Sequence, residues 1–189
     1  MNRVWQAVVL LFVYLFFNEL GLWVIAKGFH RNTVWLLNIS LLIEGLAYML
    51  VMSFWVENRL IQRLFILAAA LYLVIWIATF NTFPLTVLPF SHILPRGLLM
   101  IILSATTLLV RSRKVEVQLL RDPVFLFVTG LLLYNSIGSL IHAVYEMKDL
   151  TSIQTRNLAW KIHSWVNITS NLIFAFALRC LKQKTRYSS

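Results

Sequence analysis

The stretch LFILAAALYLVIWIATFNTF, Leu64–Phe83, decides the fold. It runs twenty residues without a charge. At about 1.5 Å per helical residue that covers the roughly 30 Å hydrocarbon thickness of a bilayer. Comparable runs recur on both sides of it, separated by short polar clusters. They predict spanning helices over residues 4–26, 33–56, 64–83, 94–110, 123–147 and 159–181. The expected fold is all-α, a polytopic transmembrane helical bundle of about six helices. The rest of the composition agrees. The 189 residues are 60% hydrophobic with a mean hydropathy of +0.78, more apolar surface than a soluble interior of this size can hide. We expect one membrane domain over residues 1–189 with no soluble domain, and find neither internal repeats nor low-complexity segments.

The connections carry information of their own. Residues 84–95 hold Pro84, Pro89 and Pro95, which remove backbone donors and clash with a preceding helical turn, so a non-helical or re-entrant connection is expected there. A re-entrant path would need protein to cover its backbone. Arg3 followed by the apolar run from Val4 resembles the start of a secretory signal. The run is too long, however, and ends at Ala26-Lys27-Gly28 without a small-residue cleavage pattern, so it reads as a retained first helix.

A net charge of +10 would suggest nucleic acid in a soluble protein. Here the basic residues sit at the ends of apolar runs, the pattern of topology signals and of contact with anionic lipid head groups. No nucleic-acid partner is expected. The single cysteine, Cys180, excludes an internal disulfide and any multi-cysteine metal site. Near the end of the last span it could be acylated, against the plainer reading of an unmodified small residue.

Ionisable groups inside a span cost a few kcal/mol even on the lenient insertion scale and normally face protein. Glu19 lies in the first span. Glu44 lies near the middle of the second, with Ser40 and Tyr48 one turn to either side. The fifth span carries Asn135, Ser139, His142 and Glu146 at helical spacing, and the sixth carries His163, Asn167, Ser170 and Asn171. Each set is expected to occupy one face. Interhelical hydrogen bonding alone would account for such stripes, and a protonated, hydrogen-bonded acid would account for either glutamate. Arg96 begins the fourth span, and His30 and His92 are expected in loops. Helix direction then groups Glu19, Glu44, Arg96, His142 and His163 by depth in the outer half of the membrane, and with Asn135 and Asn167 from the two stripes they are the expected ligand-binding residues of a polar cavity there. The sequon Asn167-Ile168-Thr169 falls within a span, where burial in the membrane makes glycosylation implausible.

Two histidines and two carboxylates are suitable metal ligands. They come from separate helices, with no His-Glu-x-x-His spacing. No metal site is therefore assigned, and an intramembrane metal-dependent enzyme stays as the third reading. No Gly-x-Ser-x-Gly supports a serine hydrolase. Buried acids and imidazoles bind and release protons readily, which suits a proton sensor or a small proton-coupled transporter. The runner-up is a pocket for a small or lipid-like ligand. There Arg96 would attract an anionic group and Tyr14, Tyr72, Trp76 and Tyr134 would shape an apolar wall. Cofactors are not legible. The partners expected are membrane lipids, a small-molecule ligand and further copies of the chain.

Asp122-Pro123-Val124-Phe125 with Gly130 and Tyr134-Asn135-Ser136, and Ile162-His163-Ser164-Trp165-Val166-Asn167 through Asn171-Leu172, give the chain a resemblance to a group of small bacterial multi-pass membrane proteins of six to seven helices. The resemblance implies an inner-membrane location and a role as a sensory or signalling accessory. It supplies no catalytic residues.

Six spans place both ends of the chain on one side. That side carries eleven basic residues: Arg3, Arg59, Arg63, Arg111, Arg113, Lys114, Arg121, Arg179, Lys182, Lys184 and Arg186. The other carries six: Lys27, Arg31, Arg96, Lys148, Arg156 and Lys161. The positive-inside rule then puts both termini in the cytoplasm. Trp5, Trp23, Trp35, Trp55 and Trp160 at span ends fit interfacial anchoring. Reporter fusions at Ser189 and between Arg111 and Asp122 should read cytoplasmic, and fusions between Leu150 and Arg156 should read external. An external signal at Ser189 would require an odd number of spans.

Overall fold

The structure is a computed structural model and describes residues 3–29, 32–87, 89–113, 119–147 and 151–187. Every regular element among them is helical: α1 (Arg3–Gly28), α2 (Val34–Trp55), α3 (Arg59–Thr82), α4 (Phe90–Ser112), a 3-10 turn at Leu119–Arg121, α5 (Pro123–Glu146) and α6 (Ile153–Tyr187). Six of these helices are long and apolar enough to cross a membrane. This is the architecture of a polytopic helical membrane protein. The chain divides into two compact units, Met1–His92 and Ile93–Ser189.

In the first unit α2 packs against both α1 and α3. The Trp5 ring near the start of α1 lies 5.3 Å from that of Trp55 at the end of α2, so the two helices run antiparallel. Val8, Met49, Met52, Phe65 and Tyr72 are fully buried, and the Tyr72 hydroxyl donates to the Leu41 carbonyl at 3.3 Å. α3 begins at Arg59, five residues before the apolar run. The reason is a cap: Asn58 Oδ1 accepts from the backbone N–H of Leu60 at 2.9 Å and of Ile61 at 3.3 Å, which satisfies two donors left open at a helix start. Arg59 and Arg63 are thereby carried on the helix itself.

The proline-rich connection is also explained by one side chain. Between α3 and α4 the backbone leaves the helix at Phe83 and makes a turn in which the Val87 N–H donates to the Pro84 carbonyl at 3.0 Å. Asn38, fully buried in the second turn of α2, donates through Nδ2 to the carbonyls of Leu85 at 2.8 Å and Val87 at 2.7 Å. Asn32 adds a longer bond to the Thr86 carbonyl, 3.4 Å. The connection is therefore a short turn held against the start of α2. The expected non-helical stretch ends sooner than Pro95, because α4 starts at Phe90 and takes Pro95 into its second turn. His92 is on that helix too, fully buried with its ring 5.3 Å from Phe80, which corrects its expected place in a loop. His30 lies outside the described residues.

In the second unit α5 and α6 share the most extensive interface. Phe127 and Phe174 meet with ring centroids 4.9 Å apart. A Cβ at Gly130 would stand 2.6 Å from Phe174 Cε1, so glycine there is what lets the ring seat. Ahead of α6 the Thr151 hydroxyl donates back to the end of α5, to Met147 O at 2.8 Å and Val144 O at 3.2 Å. Ser152 Oγ accepts from the Thr155 N–H at 3.1 Å, and this cap lets α6 begin at Ile153, before the apolar run. At the other end of α5, Pro123 occupies the first helical position, where its missing N–H costs nothing. The preceding Asp122 takes a two-pronged bond from Arg111 of α4, through Nε to Oδ2 and through Nη2 to Oδ1 at 3.0 Å. A forked guanidinium–carboxylate pair of this kind fixes geometry as well as supplying energy.

Replacing Asn38 tests the hold on the proline turn. Asn38→Leu leaves two carbonyls without their donor in a part-buried setting, which costs about 1 kcal/mol. We expect a lower unfolding midpoint in detergent and faster proteolysis between Phe83 and Pro89. An unchanged cleavage rate would show that the turn holds without Asn38.

Candidate functional site

Arg96, His142 and His163 come from three helices and gather at one end of the second unit. Arg96 is in the second turn of α4, His142 in the last turns of α5, and His163 in the third turn of α6. What brings α4 to α5 here is a close contact between small residues. A Cβ added at Gly97 would overlap Ser139 Oγ and stand 3.1 Å from its Cβ. Arg96 precedes that contact by one residue and His142 follows it by one turn. The Arg96 side chain is 6% exposed and lies within electrostatic range of His142. The His142 and His163 rings stand 6.4 Å apart, edge to face, across the α5–α6 interface.

The wall of the cluster is aromatic. Trp160 stacks on His163 with centroids 5.2 Å apart, and Tyr134 lies 5.9 Å from the same ring. Gly138 opens the α5 surface opposite His163, since even a Cβ added there would come no nearer than 4.0 Å to its Cε1. His163 Nδ1 is buried and makes no hydrogen bond among the described residues. The cluster thus offers a guanidinium and two imidazoles in a setting partly shielded from the outside. Such a donor set suits an anionic or hydrogen-bond-accepting group, and low dielectric strengthens each contact.

The other expected site residues are placed differently. Asn135 is buried, but its Nδ2 donates to the Leu131 carbonyl of its own helix at 2.8 Å. Glu44, in the first unit, is half-buried between the buried Ser40 and Tyr48. Glu19 is exposed, which corrects the expectation that it faces the interior. The buried polar residue of α1 is its neighbour Asn18, one residue and about 100° around the helix. Asn167 is exposed as well. The expected single polar face of α6 divides in two: His163 and Ser170 turn to the side packed on α5, and Asn167 and Asn171 turn away from it. The Glu146 side chain lies outside the described residues. Among those described, no three His, Cys, Asp or Glu side chains are grouped to hold a metal ion.

Two partners of the site had no signature in the sequence. Gly97 follows Arg96 and reads as an ordinary small residue in a span, and Trp160 reads as an interfacial anchor. The one available signal was helical spacing, which places Trp160 and His163 on adjacent turns.

No protein-family model matches the chain, and no curated protein or solved structure shows significant similarity to it.

Gly97 tests whether the α4–α5 contact builds the cluster. Gly97→Ala should lower the unfolding midpoint, since overpacking costs about 1–3 kcal/mol. Adding Ser139→Gly should recover most of the loss. A double variant no more stable than Gly97→Ala would show that the two residues are not in contact.

Proposed function

We propose that the chain is a multi-pass protein of the bacterial inner membrane, with both termini cytoplasmic, that binds a small or lipid-like anionic ligand at the Arg96–His142–His163 cluster. It acts as a sensory or signalling accessory and not as a catalyst. The observation that carries this reading is the gathering of one guanidinium and two imidazoles, from three helices, against an aromatic wall. Each of these groups is costly in a membrane interior. Packing alone would be served by Asn or Ser, as at Asn135. An anionic head group held by Arg96 would gain charge-assisted hydrogen bonds, while Tyr134 and Trp160 flank the apolar part of the ligand. The excess of basic residues on the side of the termini supports the orientation. It also provides a surface for anionic lipid head groups there.

The imidazole pair is the specific observation that favours a second reading, a small proton-coupled transporter, since two facing histidines can exchange a proton. An intramembrane metal-dependent enzyme is the third. The readings separate in one preparation. In lipid nanodiscs, a single-chain anionic amphiphile such as laurate should raise the unfolding midpoint, and a zwitterionic lysophospholipid of equal chain length should not. Proteoliposome flux with the same anion would favour the transporter, and co-purifying metal the enzyme.

Arg96→Gln should weaken the stabilising effect of laurate roughly 10- to 100-fold in concentration, the cost of one charged hydrogen bond, and Arg96→Lys should retain part of it. Equal stabilisation by the zwitterion, or an undiminished response in a folded Arg96→Gln protein, would sink the proposal.

A further inference from the structure

α6 presents three faces. Val166, Ser170, Phe174 and Ala177 are buried on the side that meets α5. Trp165, Leu172 and Phe176 are exposed and form the apolar surface suited to lipid. The third face, turned about 100° from the buried one at 3.6 residues per turn, carries Ser164, Asn167, Asn171 and Ala175, all exposed. Lipid tails offer nothing to these carboxamides. Within the helix, Asn171 Nδ2 donates to Asn167 Oδ1 at 2.9 Å. That bond uses one donor of Asn171 and one acceptor of Asn167, so the pair keeps donors on Asn167 Nδ2 and an acceptor on Asn171 Oδ1 on an exposed face. Ser164 is spent on its own helix, donating to the Trp160 carbonyl at 3.1 Å.

We propose that a second copy of this chain covers this face, in a two-fold dimer whose α6 helices pair through Asn167 and Asn171. The choice of a second copy follows from the chemistry of the pair. A two-fold axis along the membrane normal sets each asparagine opposite the same residue at the same depth. A carboxamide is both donor and acceptor, so it complements itself there without any matched partner. The flanking Ser164 and Ala175 are small, which allows the close backbone approach that membrane helix pairs use in the absence of a hydrophobic drive. An acidic or basic partner would find no charge on these four residues to answer its own.

The test uses the full chain in native membranes. Cys180 is first replaced by Ala, so that only engineered thiols report. With Asn167→Cys, mild oxidation should give a disulfide-linked dimer on a non-reducing gel. Leu172→Cys, on the lipid-directed face of the same helix, should give at least tenfold less. Separately, Asn167→Ala with Asn171→Ala should weaken dimerisation in mild detergent on the order of tenfold, and Asn167→Gln with Asn171→Gln should retain it. A helical spectrum equal to that of the unaltered protein would show that the alanine variant is folded. Equal cross-linking at both positions, or none at Asn167, would overturn the proposal. So would a monomer in mild detergent, or a link that forms only between Glu19→Cys on one copy and Asn167→Cys on another.

Discussion

Inside a bilayer no water is available to take up a stray donor or acceptor, and each unsatisfied group costs several kcal/mol by transfer to an apolar phase. The polar residues of this chain sort themselves by how they meet that condition. Many are discharged locally, bonding a carbonyl of their own helix: Ser53 to Leu50, Thr106 to Ile102, Thr107 to Leu103, Thr129 to Phe125 and Thr169 to Trp165. A smaller group ties elements together, with Asn38 holding the proline turn and Arg111 holding Asp122. Neither class needs anything from outside the chain. Arg96 with the two histidines, and the Asn167–Asn171 pair, form a third group, in which several polar side chains are gathered together.

The helices were legible because length and hydropathy are properties of a run, insensitive to any single residue. Their starts were not. Asn58 and Ser152 lengthen α3 and α6 toward their N-termini by capping donors, and a short polar cluster looks the same whether it caps or merely links. Rotation about the helix axis was the larger loss. Asn18 and Glu19 are adjacent, both polar and equally plausible as the inward residue, and packing chose Asn18. Four polar residues at i, i+4, i+7 and i+8 occupy an arc wide enough for packing to divide it, and in α6 it did, with His163 and Ser170 on one side and Asn167 and Asn171 on the other. Where the spacing is tied to a connection of few residues, as for His142 on α5 and His163 on α6, the sequence carries enough to bring the pair together. His92 was misplaced because the prolines around it pointed to a loop, whereas the Asn38-held turn ends early enough for α4 to begin before it.

The same sorting bears on how a bound ligand could be sensed. Among the described residues, α4 meets α5 at the Gly97–Ser139 contact, and its far end reaches Asp122, the residue before α5, through Arg111. The two points are fourteen residues apart along α4, or about 21 Å at helical rise. Their chemistry differs. The forked ion pair resists rotation, because both prongs must stay in plane with the carboxylate. The glycine–serine contact is steric and sets only how near the helices approach. A ligand drawn between Arg96 and the histidines would act at the steric end and leave the ion-paired end fixed. Any displacement of α4 would then take the form of a pivot about Arg111. A ligand shifts such an equilibrium only by its difference in affinity for the two positions. Arg96, which precedes the steric contact by one residue, is the group whose bonds to the ligand would change most with that motion.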